Sequence, residues 1–137
     1  MIEYATLINN GYRIENAQIK SVDFSLSSGN FTFYMILKGN GIGDNRTYFC
    51  SRPIGKNNRD EISGSENGIE YILRIMDVVG VSRFNDMKGK YVRIAFKVCD
   101  DRIEIIGNII ENKWFDQKAF FDESCRTKKQ SICAQNA

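Results

Sequence analysis

The chain has no histidine among its 137 residues, which removes the commonest general base together with every Ser-His-Asp and Cys-His arrangement. Acid–base chemistry would fall to carboxylates. The adjacent pairs Asp100–Asp101 and Asp60–Glu61 are the candidates, and both stand in polar stretches of turn composition where solvated carboxylates are the ordinary outcome. The four cysteines, Cys50, Cys99, Cys125 and Cys133, include no CxxC pair, so the usual zinc spacings are missing as well. In a reducing compartment they read as ordinary thiols rather than as a redox device. The expectation is a non-enzymatic protein with no catalytic residues, no metal and no cofactor.

Other shortages narrow the class further. A single proline argues against long Pro-rich linkers, and no stretch approaches the roughly 18 to 20 apolar residues of a membrane span. The N-terminal MIEYATLINNGYRIEN has neither the basic start nor the apolar run of a signal peptide, so a cytoplasmic protein with no membrane partner is expected. A formal net charge of +2, with Lys and Arg mixed among Asp and Glu, is too small to predict binding to duplex nucleic acid. There is no internal repeat and no Walker-type loop. GNGIGDN shares only glycine spacing with a dinucleotide fingerprint, and the residues after it read as strand rather than helix.

What is present fits one α+β domain over residues 1–122, followed by a polar tail over 123–137 that carries Arg126, Lys128 and Lys129 and is expected to fray. In QIKSVDFSL, Val22, Phe24 and Leu26 alternate with Ser21, Asp23 and Ser25. In FTFYMILKG, Phe31, Phe33, Met35 and Leu37 do the same, and Ser27-Ser28-Gly29-Asn30 joins the two as an antiparallel hairpin. The second face of that strand, Thr32, Tyr34 and Ile36, is not very polar, which marks a central strand or an outer side that meets a partner. An extra strand is expected near Tyr4 to Ile8. A glycine-spread polar stretch comes next, with a short strand-like centre at 47–50.

GIEYILRIMDVVG is the clearest helix: Ile69, Ile72, Leu73, Met76 and Val79 predict its apolar stripe, Ser65 its N-cap, and Gly80 with Val81 its close. Ser82 then caps a short helix ended by Gly89, with Phe84 and Met87 inward. KYVRIAFKV and RIEIIGNII, joined through Asp100–Asp101, form a second hairpin. NKWFDQKAFF closes the chain, and its Trp114, Phe115, Phe120 and Phe121 form either a core plug or an exposed patch. Together this is an antiparallel sheet of about five to six strands, with one main and one short helix inserted between the hairpins.

Three blocks, LKGNGIG at 37–43, GIEYILRIMDVVGVSRFNDMKGKYVRI at 68–94 and IGNIIENKWFD at 106–116, resemble in order and spacing a family of small phage and prophage proteins. That family continues its glycine block into a phenylalanine-and-glycine strand, whereas this chain has Asp44-Asn45-Arg46-Thr47-Tyr48-Phe49. The resemblance implies phage origin, a host-cell cytoplasmic location and a counter-defence role. One form of that role is a sponge that sequesters a nucleotide second messenger of host immunity, a cyclic nucleotide-type ligand. Backbone donors, cations and a stacking face for it would come from Gly41, Gly43, Asn45, Arg46, Tyr48 and Arg52, in a homo-oligomer, dimer or higher. The alternative is a protein–protein inhibitor of a CRISPR-Cas effector or another defence nuclease, with Tyr34, Ile36, Trp114 and Phe115 as its partner surface. A virion or replication accessory role is the third possibility.

Overall fold

A computed structural model describes residues 3–39, 46–65, 67–97 and 102–122. Seven strands form one antiparallel sheet: β1 Arg13–Ser27, β2 Asn30–Gly39, β3 Thr47–Asn57, β4 Ile62–Gly64, β5 Tyr91–Phe96, β6 Ile105–Gly107 and β7 Trp114–Asp116. Their order across the sheet is β4-β3-β2-β1-β5-β6-β7. Three helical elements precede or interrupt them: α1 Tyr4–Asn9, α2 Gly68–Val79 and a 3-10 turn at Phe84–Met87. A further helical turn lies at 117–122. The α+β class and both expected hairpins are therefore present, β1 with β2 and β5 with β6. The Asp100–Asp101 turn and the tail lie outside the described residues.

The strand β1 is long because it serves two neighbours, pairing through Arg13–Gln18 with β5 and through Ala17–Ser27 with β2. A bulge between Ile19 and Ser21 lets it do so without turning its apolar side outward. Before the bulge the inward residues are the odd-numbered Ala17 and Ile19; after it they are the even-numbered Val22 and Phe24. Ser28 and Gly29, at φ of 52° and 81°, turn the chain tightly into β2.

A second bulge, at Ile54 of β3, adds to the curl. The sheet bends far enough that β3 meets the chain entering β6: Phe49 bridges Arg102 in parallel, and the Ile103 N–H donates to the Phe49 carbonyl at 2.8 Å. The helix α2 lies across the inner face of this curl, against β3, β6, β7 and the 3-10 turn. Phe33, Met35, Leu37, Cys50, Tyr71, Ile75, Ile94 and Ile106 fill the space between and are all buried.

Six expectations need correction. Among the described residues the sheet has seven strands rather than five to six, and the short helix is a 3-10 turn at Phe84–Met87 whose N-cap is Arg83, not Ser82. Tyr4 to Ile8 is helix α1, not strand: Leu7 drops onto Ala95, Ile105 and Trp114 on the outer face, and the Tyr4 N–H is held by Asn112 Oδ1 at 2.9 Å. This tertiary contact overrides a weak alternation. The glycine-spread stretch holds the 11-residue β3 and then β4, more regular structure than a strand-like centre at 47–50. The α2 stripe is rotated, since Tyr71, Ile75, Val78 and Val79 are buried while Ile69 and Leu73 are exposed, with Ile72 and Met76 on the flank. Its N-cap is Asn67, not Ser65. The close is as expected: Gly80 at φ 89° donates to the Met76 carbonyl at 2.8 Å, and Val81 to the same oxygen at 3.1 Å.

Candidate functional site

Gly41, Gly43 and Asn45 lie outside the described residues. Of the nucleotide-site candidates that remain, Tyr48 and Arg52 share the inner face of β3 with Cys50, because alternate strand residues point to one side. Tyr48 is completely buried, its hydroxyl donating to Glu15 Oε2 at 3.2 Å and its ring 5.2 Å from that of Phe96. The Arg46 guanidinium sits over the same ring, 5.7 Å from its centre. Arg52 is paired with Glu104 and lies 5.3 Å from the Phe121 ring centre. The stacking face and one cation assigned to a ligand are engaged within the fold.

Arg52 and Glu104 border a buried polar cluster. Gln117, 1% exposed, accepts at Oε1 from the Tyr71 hydroxyl at 2.5 Å and from the Cys50 thiol at 3.0 Å. Burial pushes both the Cys50 thiol and the Tyr71 phenol above their ordinary pKa values. Both remain protonated, as the hydrogen bonds require. Neither is a nucleophile or base in this state, and the cluster ties β3, α2 and the turn at 117–122 together. Asp60 and Glu61 stand exposed in the β3–β4 turn, where both backbone N–H groups donate to Asn58 Oδ1 at 2.9 Å.

The partner-surface candidates separate into two pairs. Trp114 and Phe115 are core residues, 8% and 7% exposed, and as neighbours on a strand they point to opposite faces. Trp114 packs on the outer face beneath α1, with Arg93 4.7 Å from its ring centre and its Nε1 donating to Asn112 Oδ1 at 2.9 Å. Phe115 packs inward against Tyr71 and Phe120.

Tyr34 and Ile36, by contrast, stand together on the outer face of β2, each 37% exposed. Directly across from Ile36 in the β2–β3 register is Phe49, 52% exposed. Phe49 is absent from the surface expected on sequence grounds. Strand parity would have found it, since Tyr48 and Cys50 are inward and the residue between them must face out. Beside Phe49, Arg102 donates to the Ser51 carbonyl at 2.6 Å, and Asp23 sits across from Tyr34 on β1. The result is an aromatic–aliphatic patch bordered by charges of both signs, on a part of the sheet where β2 is paired on both sides.

A second apolar concentration, not foreseen as a surface, lies at the far end of the inner face. Leu26, Phe31, Ile62 and Ile69 surround a groove of about 420 Å³ whose floor includes Gly55 and Gly64. Ile62 and Ile69 are 83% and 72% exposed. No helix among the described residues is long and apolar enough to cross a membrane. Compared with family models, with curated proteins and with solved structures, the chain matches none.

Proposed function

We propose that the chain is a non-enzymatic binding protein that takes a protein target on the outer face of β2 and β3, as an inhibitor of a phage host's defence nuclease or another host effector would. The observation that carries this reading is the contiguous trio Tyr34, Ile36 and Phe49, which stands half-exposed where an antiparallel sheet ordinarily turns polar residues to water. Rigid aromatic side chains flanked by charge are the usual anchors of protein interfaces. The sponge reading draws less support, because Tyr48 is buried and Arg52 is engaged by Glu104 and Phe121.

The test compares the wild-type chain with Phe49→Ser and Ile36→Ser as affinity baits in bacterial lysate, with thermal shifts against cyclic di- and trinucleotides run in parallel. A bacterial protein retained by the wild type and lost by both variants, with no nucleotide shift, is the expected result. Retention indifferent to both substitutions, or a stabilisation of several degrees by a cyclic nucleotide, overturns the reading.

A further inference from the structure

Among the described residues the strand β4 is the edge of the sheet, and its hydrogen-bonding phase can be read from its flanks. The Ser65 N–H donates to the Ile54 carbonyl at 2.8 Å and the Asn58 N–H to the Glu61 carbonyl at 2.9 Å. With the register Gly55↔Gly64, Lys56↔Ser63 and Asn57↔Ile62, the bonded pairs alternate, so Lys56↔Ser63 is bonded. The backbone N–H and C=O of Ile62 and Gly64 therefore point away from β3, toward the open edge.

The side chains of this edge have a particular form. Gly55 pairs with Phe31, an inward residue of β2, so Gly55, its partner Gly64 and, two residues from Gly64, Ile62 all face the groove. Ile62 is a projecting apolar side chain with 83% of its surface in water. Gly64, two positions away on the same face, leaves a gap, for a Cβ built there would meet nothing within 4 Å. A knob and a hole spaced evenly about Ser63 make the edge complementary to itself.

From this we infer that two copies of the chain associate through β4, antiparallel and centred on Ser63, extending the sheet across a two-fold axis. In that register Ile62 of each copy faces Gly64 of the other, and the four outward N–H groups of these residues donate to the four outward carbonyls. The Ile62 side chain of each copy then enters the other's groove over Gly64, beside Leu26, Phe31 and Ile69. The two Ser63 residues meet on the axis as the close, non-bonded pair, where facing side chains lie nearest each other. This is an isologous contact: one patch serves both partners, and pairing removes the exposed edge that a lone sheet would leave. The inference does not rest on the target-binding reading. If both hold, the dimer carries two copies of the Tyr34–Ile36–Phe49 face.

An interface of three residues per strand and one groove is small, so the dimer should be concentration-dependent, dissociating at roughly low micromolar and forming by roughly several hundred micromolar. Sedimentation velocity across that range is expected to show the shift from monomer to dimer. Gly64→Leu, whose Cβ meets nothing within 4 Å in its own chain and whose side chain fills the hole, and Ile62→Lys should each raise the dissociation constant by at least tenfold. Phe49→Ser should leave it unchanged. Register is read by oxidising single variants: Ser63→Cys should give a disulfide-linked dimer above the wild-type background, and Lys56→Cys should not. A wild-type chain monomeric throughout, a dimer indifferent to Gly64→Leu and Ile62→Lys, or a dimer in which Ser63→Cys fails to cross-link would each overturn the inference.

Discussion

The Tyr71 hydroxyl on α2 donates to the side-chain carbonyl of Gln117 at 2.5 Å, and the thiol of Cys50 on β3 donates to the same oxygen at 3.0 Å. One buried acceptor thus joins three elements. Replacing it by Gln117→Leu leaves the phenol and the thiol only their weak mutual contact at 3.7 Å and should cost about 2–3 kcal/mol, whereas Tyr71→Phe, which leaves the Cys50 bond to Gln117 in place, should cost about 1 kcal/mol. The two substitutions share one hydrogen bond, so the double variant should lose less than their sum. Urea titration of the four proteins closes the cycle; full additivity would mean that the bond contributes nothing.

The same cluster makes stability fall in alkali. Thiol and phenol are neutral when protonated, and burial holds the proton on both, raising Cys50 from an ordinary 9.0 and Tyr71 from an ordinary 10.0. The folded chain thus keeps protons that the unfolded chain releases, and their contribution, whole well below the ordinary thiol value, begins to fall as pH passes the ordinary thiol and then the ordinary phenol values and goes on falling toward the raised values of the folded chain. Denaturant midpoints measured from pH 7 to 11 should decline above pH 9. In Cys50→Ala the decline relative to wild type should begin about one pH unit later. Parallel curves for the two proteins would remove Cys50 as a cause.

On α2, exposure rather than hydrophobicity decides which residues matter. Leu73 is 59% exposed and Ile75 is completely buried. Leu73→Lys should shift stability by no more than about 0.5 kcal/mol, while Ile75→Ala should cost about 2–5 kcal/mol through lost burial and the cavity it leaves. Thermal melts of the two variants measure this directly, and equal losses would place the inward face where the sequence periodicity alone suggests.

That periodicity shows why the fold was more legible than the site. Helix GIEYILRIMDVVG carries apolar residues over well more than half its circumference, with Glu70, Arg74 and Asp77 gathered on the rest, so its existence and its Gly80 close were readable, but not which part of that wide apolar arc faces the sheet. The position of Gly68 contributes to the answer: its Cα approaches Ile54 so closely that a Cβ would lie 2.9 Å from the Ile54 Cβ. This long-range contact helps fix the helix rotation. The hairpin at Ser27–Asn30 was readable because turn chemistry and alternation are local. The bulge at Ile19/Ser21 appears in sequence only as a change of parity between Ile19 and Val22.

The candidate site turned on the same parity. Tyr48 and Arg52 look like ligand groups in a glycine-rich, polar neighbourhood, yet the curl of the sheet turns them inward and leaves Phe49 outside. Trp114 and Phe115 read as one aromatic patch, but a strand sends neighbours to opposite faces.

The close approach of Gly107 and Trp114 supplies the most severe single-atom test of the outer face. The two residues are direct partners in the β6–β7 register, and a Cβ on Gly107 would press into the Trp114 indole, 2.7 Å from its Cδ2 and far inside van der Waals contact. Gly107→Ala must therefore displace the indole from its place beneath α1, breaking its contact with Arg93 and its hydrogen bond to Asn112. The expected cost is about 2–4 kcal/mol, well beyond the usual effect of adding a methyl group to a strand. Because Trp114 is the sole tryptophan of the chain, the displacement should also appear as a red-shifted emission spectrum in the native protein. Adding Gly107→Ala to Trp114→Leu, where the bulk is already gone, should cost far less than adding it to the wild type. An unshifted spectrum with wild-type stability would mean that the indole does not lie over Gly107, and with it the packing assigned to α1 would fall.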